Sequence, residues 1–289
     1  MITARLLPDG RRLHLQHGPI DLVIEAWGDA AEVRLAYEQA IAAFQGLLTE
    51  LVAELPLLRA PLTDENPAAR GPVARRMVEA CWPYREVFIT PMAAVAGAVA
   101  DHILVALLSG RTLAKAYVND GGDIAIHLAE GERLTCGMVA DLRMPAIAGT
   151  IALTSAMPVR GIATSGAPTK GSGGRSFSLG IADAVTVLAR SAAAADAAAT
   201  IIANAVDLPG DARVRRLPAT DLDPDSDLGG RLVTIEVPAL DTADIRRALS
   251  AGRDVAERLR SAGLIHGAVL ALQGRFALVG AVAQDLLAA

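Results

Sequence analysis

The sequence predicts an α+β protein with helices flanking a mixed sheet, built as a single domain of two lobes over residues 1–289. Short β-branched segments and alanine-rich segments of helical spacing alternate in irregular order, which favours α+β over a regular doubly wound fold. A length of 289 residues is enough for one large domain with a substantial core. The hydrophobic content of 52% includes only 3% aromatic residues, which suits alanine-rich helices packed on a sheet.

The N-terminal part is predicted to form strands and then a long helix. Residues 12–27 alternate between apolar and polar side chains and break at the turn signal Gly18-Pro19, which indicates one or two strands. Asp29 is the predicted N-cap of a helix over residues 30–55, where apolar side chains recur at helical spacing until a proline ends the pattern.

The middle of the chain is predicted to hold a surface connection, an apolar helix and four strands. Residues 59–76 contain three prolines and mixed charge, which is typical of a loop. Pro91 opens a helix of small residues that continues to Leu108, since proline fits a first helical turn. Short apolar runs then predict strands at 115–119, 123–128, 134–139 and 147–153.

The C-terminal part is predicted to alternate strands with two helices. A fully apolar run predicts a strand at 184–188, and the alanine-rich segment 191–206 predicts a helix. A charged amphipathic helix is expected over 242–262, where Gly263 ends it. The last predicted elements form a hairpin of 267–273 with 275–282.

Composition argues against two classes of partner. The net charge is −5, aromatic residues are few and no basic run occurs, so a nucleic-acid partner is not expected. The longest apolar stretch, 91–108, carries Asp101 and His102 near its centre, so no membrane partner is expected either.

A cytoplasmic location is predicted from the cysteines and the N-terminal residues. Cys81 and Cys136 are far apart in sequence and are expected to be reduced, packed thiols. The first residues show no apolar segment of the kind a secretory signal has.

The turn NDGGD at 119–123 is the first candidate binding element. Asn, Asp and Gly supply the positive φ values that a hairpin turn needs, so an ordinary turn is one interpretation. Ligand contact is the other, because Gly121 and Gly122 allow close backbone approach and Asp123 offers a carboxylate to a ribose or an adenine edge.

A second candidate region spans residues 161–204. The GIATSG turn leads through a glycine-rich loop and a strand into a helix on which Asp196 and Thr200 lie four residues apart, and therefore on one face. A carboxylate and a hydroxyl so placed suit a hard cation beside a phosphate-bearing ligand. The alternatives are a strand-end turn, a flexible linker, a solvated carboxylate and a hydroxyl bonded to its own helix.

Other kinds of site have little support. The five histidines show no HxxxH, HxH or HExxH spacing, so a zinc site is not expected. The sequence has no G-x-S-x-G elbow, phosphate loop or Rossmann fingerprint, and Ser165 has no neighbouring histidine to activate it.

Five segments stand in an order and spacing that point to one family. They are TPMAAVAGAVAD (90–101), AYVNDGGDIAIHL (116–128), GIATSG (161–166), GRSFSLGIADAVTVLA (174–189) and ADAAATIIANAV (195–206). Together they resemble the UPF0280 group within the ApbE-like superfamily of flavin-binding and flavin-transferring proteins. The resemblance extends from about Leu22 to Gly280.

This resemblance implies Mg²⁺ and FAD as cofactors. In ApbE-type proteins the aspartate and threonine of A-D-A-x-x-T hold a magnesium ion beside the FAD diphosphate, and Asp196 and Thr200 fall on those positions. The expected partner is a nucleotide-like small molecule, and a homo-oligomer is compatible with the sequence. The ligand contacts that the resemblance implies come from the two turns and the glycine loop: Asn119, Gly121, Gly122, Asp123, Thr164, Ser165, Gly166, Arg175 and Ser176.

Two departures from the ApbE pattern separate binding from catalysis. ApbE transferases have an alanine-lysine-glycine step where this chain has Val95-Ala96-Gly97, so the lysine is absent. They also carry a loop histidine that helps to activate the acceptor hydroxyl. This chain has Arg175 near that position, and arginine is a permanent cation and a poor general base. The sequence therefore predicts flavin binding; the alternatives are a Mg-dependent FMN transferase and a structural or assembly protein that keeps the fold.

Overall fold

The computed structural model describes residues 2–139, 147–166 and 177–280. The strands in these ranges are β1 Thr3–Leu6, β2 Leu13–His17, β3 Ile20–Gly28, β4 Leu113–Asp120, β5 Asp123–Leu128, β6 Arg133–Val139, β7 Ile147–Thr154, β8 Gly161–Ser165, β9 Ala184–Ala189, β10 Arg215–Pro218, β11 Leu232–Glu236, β12 Gly267–Leu272 and β13 Arg275–Gly280. The helices are α1 Ala30–Phe44, α2 Leu47–Ala53, α3 Leu55–Leu58, α4 Pro72–Cys81, α5 Val95–Leu108, α6 Ala192–Ala205, α7 Ala219–Leu222 and α8 Thr242–Ser261.

The chain divides into two compact units. The first unit comprises Met1–Leu134, Leu153–Ala163 and Ala189–Ala197, and the second comprises Thr135–Ala152, Thr164–Leu188 and Ala198–Ala289. Each unit combines antiparallel strands with helices packed against them, which confirms the α+β class. The single domain over residues 1–289 stays a prediction.

An antiparallel sheet organises the first unit. Its strands are neighbours in the order β1, β2, β3, β4, β5, β8. Apolar side chains alternate along these strands, so one face of the sheet is buried against α1 and α5, and α4 packs on α5. The centre of this core consists of side chains with almost no exposed surface: Leu15, Leu22, Ile24, Phe44, Met77, Ile103 and Val118.

The prediction of one continuous helix over residues 30–55 is wrong, because the segment is broken into shorter helices. Asp29 caps α1 as expected, since its carboxylate accepts a hydrogen bond of 2.8 Å from the Ala31 nitrogen. The helix then stops after Phe44, and α2 begins at Leu47. Gly46 adopts a φ of +82° between them, a left-handed value that interrupts helical hydrogen bonding. The apolar spacing hid this break because both helices bury their apolar side in the same core.

The prediction of a loop over residues 59–76 is wrong for its last residues, which are helical. Helix α4 begins at Pro72, which occupies the first turn, where a missing N–H is tolerated. The Glu54 carboxylate accepts hydrogen bonds of 2.7 Å each from the Arg70 and Gly71 nitrogens just before α4. The prolines therefore start a helix in this segment as well as mark a loop.

The apolar helix α5 lies in the core of the first unit. The stretch Pro91–Leu108 has a mean hydropathy of 1.8, which is enough for a membrane span by composition, and 56% of it is buried inside the protein. Core helices of globular proteins share these properties. His102, on the same helix, is half-buried.

The second unit packs α8 on antiparallel strands. Its strands are neighbours in the order β9, β12, β13, and the expected hairpin of β12 with β13 is confirmed. Helix α8 lies on β12 and β13 and buries Ile245, Ala248 and Leu249. Strands β10 and β11, which the sequence reasoning missed, form a separate antiparallel pair.

The two cysteines are free thiols, as expected. Cys81 is fully buried at the end of α4, and burial raises its pKa well above the ordinary range. Burial also raises the pKa of Cys136 to about 11. Both thiols are therefore held in the protonated, unreactive form at neutral pH.

Gln273 holds the β12–β13 turn against the segment before α8. It has a φ of +44°, which strains a residue with a side chain. Its backbone N–H donates to Asp183, its Nε2 donates to the Pro238 oxygen at 2.7 Å, and its Oε1 accepts from the Leu240 nitrogen at 2.9 Å. The side-chain bonds thus offset the backbone strain.

Gln273→Ala is expected to lower the free energy of unfolding by about 1–3 kcal/mol, because two net hydrogen bonds are lost while the strained φ remains. Gln273→Gly loses the same bonds but relieves the strain, so it should be more stable than the alanine variant by about 1 kcal/mol. Urea unfolding measures both differences. An alanine variant as stable as wild type would contradict the assigned bonds.

The stability of the protein is expected to fall as the pH is lowered through 6.5, the ordinary pKa of histidine. Burial, and next the positive charge of Arg76, lower the pKa of His102, while Glu50 opposes the shift. The unfolded chain then binds this proton at a higher pH than the folded protein does, so acid favours unfolding. Urea midpoints measured above and below pH 6.5 should differ less in His102→Gln than in wild type. Equal pH dependence in the two proteins would refute this assignment.

Candidate functional site

Residues 119–123 form a tight hairpin turn between β4 and β5. Gly121 and Gly122 have φ values of +64° and +118°, which explains why both positions are glycine. The Asn119 side-chain oxygen accepts a hydrogen bond of 2.8 Å from the Gly122 nitrogen and fixes the turn. The turn interpretation is therefore confirmed, and Asn119 has a structural role in it.

The carboxylates of this turn lie on the inner face of the first unit's sheet. Asp120 and Asp123 are directly opposite each other in the β4–β5 register, and Asp120 is buried, with 5% of its surface exposed. Asp120 follows the buried residues Ala116 and Val118 at a spacing of two, so it shares their face. Sequence reasoning nominated Asn119 and missed Asp120, although this period-two pattern could have identified it.

Asp196 projects from α6 toward these carboxylates. Its Oδ2 accepts a hydrogen bond of 3.1 Å from the Gly97 nitrogen in the first turn of α5. Burial, and next the negative charge of Asp123, raise the pKa of Asp196 well above its ordinary range; Asp120 and Asp101 add to this, and the Gly97 bond opposes it. The negative charges of three other carboxylates of the first unit therefore act on Asp196, which is half-buried.

Glycines permit the close approach that places α6. A Cβ added to Gly97 would lie 2.7 Å from the Ala193 nitrogen and closer still to the Ala192 carbonyl group. A Cβ at Gly161 of β8 would collide with the backbone of Ser191, the residue before α6. Helix α5 and strand β8 therefore both contact the start of α6 through backbone atoms, which only glycine allows.

The remaining nominated residues lie in other parts of the chain. Thr200 follows Asp196 by four residues on α6 and belongs to the second unit. Thr164, Ser165 and Gly166 also belong to the second unit, where the Thr164 hydroxyl oxygen is 2.9 Å from that of Thr186. Gly166 has a φ of +125°, and a Cβ there would lie 3.0 Å from the Ala182 oxygen.

Arg175 and Ser176 are the two nominated residues that lie outside the described residues. Within the described part of the chain, no three His, Cys, Asp or Glu side chains converge as a metal centre. A cation held by Asp196 would accordingly need oxygen atoms from hydroxyl, backbone carbonyl, ligand or water.

A family model described as "AbpE bacteria" matches residues 4–278. The chain belongs to this ApbE-like family. The match extends over nearly the full sequence and confirms the family that the five motifs indicated.

The relatives that it matches are UPF0280 proteins. One from Methanothermobacter thermautotrophicus is 36% identical over 153 residues, which cover 52% of this chain and 56% of the relative. Another, from Methanosphaerula palustris, is 34% identical over 180 residues, covering 62% and 70%. The matched region thus spans less than two thirds of the first relative's own length.

Solved ApbE structures are also similar, at low identity. The ApbE protein of Thermotoga maritima has a TM-score of 0.47 and 14% identity, with 97% of each chain covered. The flavinyl transferase ApbE of Pseudomonas stutzeri has a TM-score of 0.46 and 13% identity, covering 98% of this chain and 94% of that one.

Gly97→Ala tests the close contact of α5 with α6. In an ordinary helix interior this change stabilises by about 1 kcal/mol. Here the added methyl group meets the α6 backbone, so a loss of about 1–3 kcal/mol in unfolding free energy is expected instead. Gly230→Ala is the matched control, because a Cβ there meets nothing within 4 Å. Chemical denaturation that shows Gly97→Ala at or above wild-type stability would contradict the contact.

Proposed function

We propose that this protein binds a flavin nucleotide, FAD, together with Mg²⁺ beside Asp196 of the first unit. The observation that carries the proposal is the placement of Asp196. Its carboxylate accepts a hydrogen bond from the Gly97 nitrogen, and the negative charges of Asp123 and Asp120 raise its pKa. Like charges close together repel each other. Carboxylates with strongly shifted pKa values concentrate at functional sites.

A divalent cation is the partner that best fits a carboxylate in this negatively charged surrounding. Mg²⁺ prefers oxygen ligands and keeps several waters, so one carboxylate and ligand phosphates are enough to hold it. The hydrogen bond to Gly97 engages Oδ2 of Asp196 and leaves Oδ1 for the cation. A carbonyl near Val95 would supply a further oxygen, and the family resemblance names Thr200 as the hydroxyl ligand.

A diphosphate ligand requires that cation. Phosphate oxygens are repelled by Asp120, Asp123 and Asp196, so an anionic nucleotide approaches this turn favourably only when Mg²⁺ neutralises part of the charge. Gly121 and Gly122 carry no side chains and admit the ligand close to the backbone. Cation and nucleotide are therefore expected to bind cooperatively.

FAD is named because of the family. The A-D-A-x-x-T helix and the V-N-D-G-G-D-I turn resemble the segments that hold Mg²⁺ and FAD in ApbE-type proteins, and the chain belongs to that family. The alternatives are a Mg-dependent FMN transferase that acts on FAD and an acceptor protein, and a non-catalytic structural or assembly protein. A cytoplasmic location is part of the proposal.

Asp196→Ala is expected to abolish the dependence of FAD affinity on Mg²⁺, because it removes the main oxygen ligand. Titration of flavin fluorescence gives the FAD affinity with Mg²⁺ and without it, and the ratio of the two affinities is compared between proteins. Asp254→Ala, which removes an exposed carboxylate of α8, is the matched control and should keep the wild-type ratio. If Asp196→Ala retains the wild-type ratio, Asp196 is not the metal ligand. Absence of any FAD binding by wild type would favour the structural alternative.

Arg175→Ala separates binding from transfer. A guanidinium paired with the diphosphate supplies hydrogen bonds to a charged group worth about 1.5–3 kcal/mol, so its loss should weaken FAD binding roughly tenfold to a hundredfold. Wild type is expected to transfer no FMN to a threonine-bearing acceptor peptide, since Arg175 is a poor base. Arg175→His restores the residue type of the transferases and tests whether transfer appears. Robust transfer by wild type that Arg175→Ala leaves unchanged would support the transferase alternative.

A further inference from the structure

Asp101 contacts the N-terminus of the helix that carries Asp196. Asp101 is on α5, buried with 8% of its surface exposed. Its Oδ1 accepts a hydrogen bond of 3.1 Å from the Ala192 nitrogen, and its Oδ2 accepts one of 2.9 Å from the Ala193 nitrogen. Both carboxylate oxygens are thus engaged by the first two residues of α6.

These bonds fill a position that would otherwise attract an anion. The first N–H groups of a helix have no partner within the helix, and the helix dipole adds positive potential there. Phosphate groups commonly bind at such a terminus. In this protein the carboxylate of Asp101 already occupies the terminus of α6, so a ligand phosphate would have to be held elsewhere.

The same two helices also meet at Asp196. Gly97 precedes Asp101 by one turn of α5, and its nitrogen donates to Asp196 Oδ2 at 3.1 Å. Asp196 follows Ala192 by one turn of α6. Helix α5 therefore contacts α6 at two successive turns, through Asp101 at the terminus and through Gly97 at the Asp196 carboxylate.

We propose that Asp101 is a positioning residue of the cation site, whose two hydrogen bonds to Ala192 and Ala193 set the axial position of α6 and so hold Asp196 beside the Asn119–Asp123 turn. This inference rests on the proposed binding of Mg²⁺ and FAD. In this role Asp101 acts through α6, because its carboxylate accepts hydrogen bonds from the Ala192 and Ala193 nitrogens at the start of that helix.

Asp101→Asn is the sharpest variant because it keeps the size of the side chain. An amide offers one oxygen acceptor and places an NH₂ donor against a backbone N–H, so one of the two bonds is lost and the negative charge with it. Glu54→Gln is the matched control. Glu54 accepts two backbone N–H bonds at the start of α4, as Asp101 does at α6, but α4 carries no candidate ligand.

The experiment measures the ratio of FAD affinities with and without Mg²⁺ by flavin fluorescence, at a temperature where all proteins are folded. Both variants are expected to lower the melting temperature. Only Asp101→Asn should lower the Mg²⁺ ratio, by about tenfold or more, the loss typical when a residue that orients a metal ligand is mutated. A wild-type ratio in Asp101→Asn, or an equal loss in Glu54→Gln, would overturn the inference.

Amide hydrogen exchange of the peptide covering residues 191–197 gives a second, ligand-free measurement. Exchange should rise in Asp101→Asn and stay at the wild-type level in Glu54→Gln. Unchanged exchange in Asp101→Asn would overturn the inference even if FAD binds. If wild type shows no Mg²⁺ effect, the proposed function fails, and the cation-site role of Asp101 fails with it. A Mg²⁺ effect in wild type that Asp101→Asn retains rejects Asp101 alone.

Discussion

The close backbone contact between α5 and α6 is the constraint on which the candidate site depends. Two helices approach this closely only where a glycine removes the side chain between them, as Gly97 does opposite Ala192 and Ala193. The contact gives Asp196 a backbone N–H partner while the helix brings its carboxylate toward Asp120 and Asp123. The alanine-rich composition of α6 follows from the same constraint, since small side chains lose little entropy and allow close packing.

The charge arrangement of the first unit works against folding stability. Partial burial of Asp196, and next the negative charge of Asp123, raise the free energy of its ionised form, which is why its pKa is raised. A protein selected only for stability would place an apolar residue at this position. A bound cation would offset this loss of folding stability. A ligand that binds only the folded state stabilises it by an amount that grows with the logarithm of the ligand concentration.

Local patterns predicted local structure well and distant contacts poorly. Positive-φ residues identified the 119–123 turn, and apolar runs identified β9, β12, β13 and α6. The break at Gly46 escaped detection because apolar spacing continues across it. In the sequence, Asp101 interrupts an apolar stretch. The backbone nitrogens that donate hydrogen bonds to it lie 91 and 92 residues away. Such pairings follow from tertiary packing, which neither periodicity nor propensity encodes.

In the proposed function, binding and transfer rest on different parts of this chain, so one could persist without the other. The proposed cation ligands and their supports, Asp196, Gly97 and Asp101, come from helices whose positions are fixed by core packing. The residue that would act as a base in a transferase belongs to a glycine-rich segment, where Arg175 stands. Arginine in place of a histidine removes a general base, whereas a change at α5 or α6 affects the fold and the proposed site together. The helical part of the proposed site is therefore expected to tolerate little change.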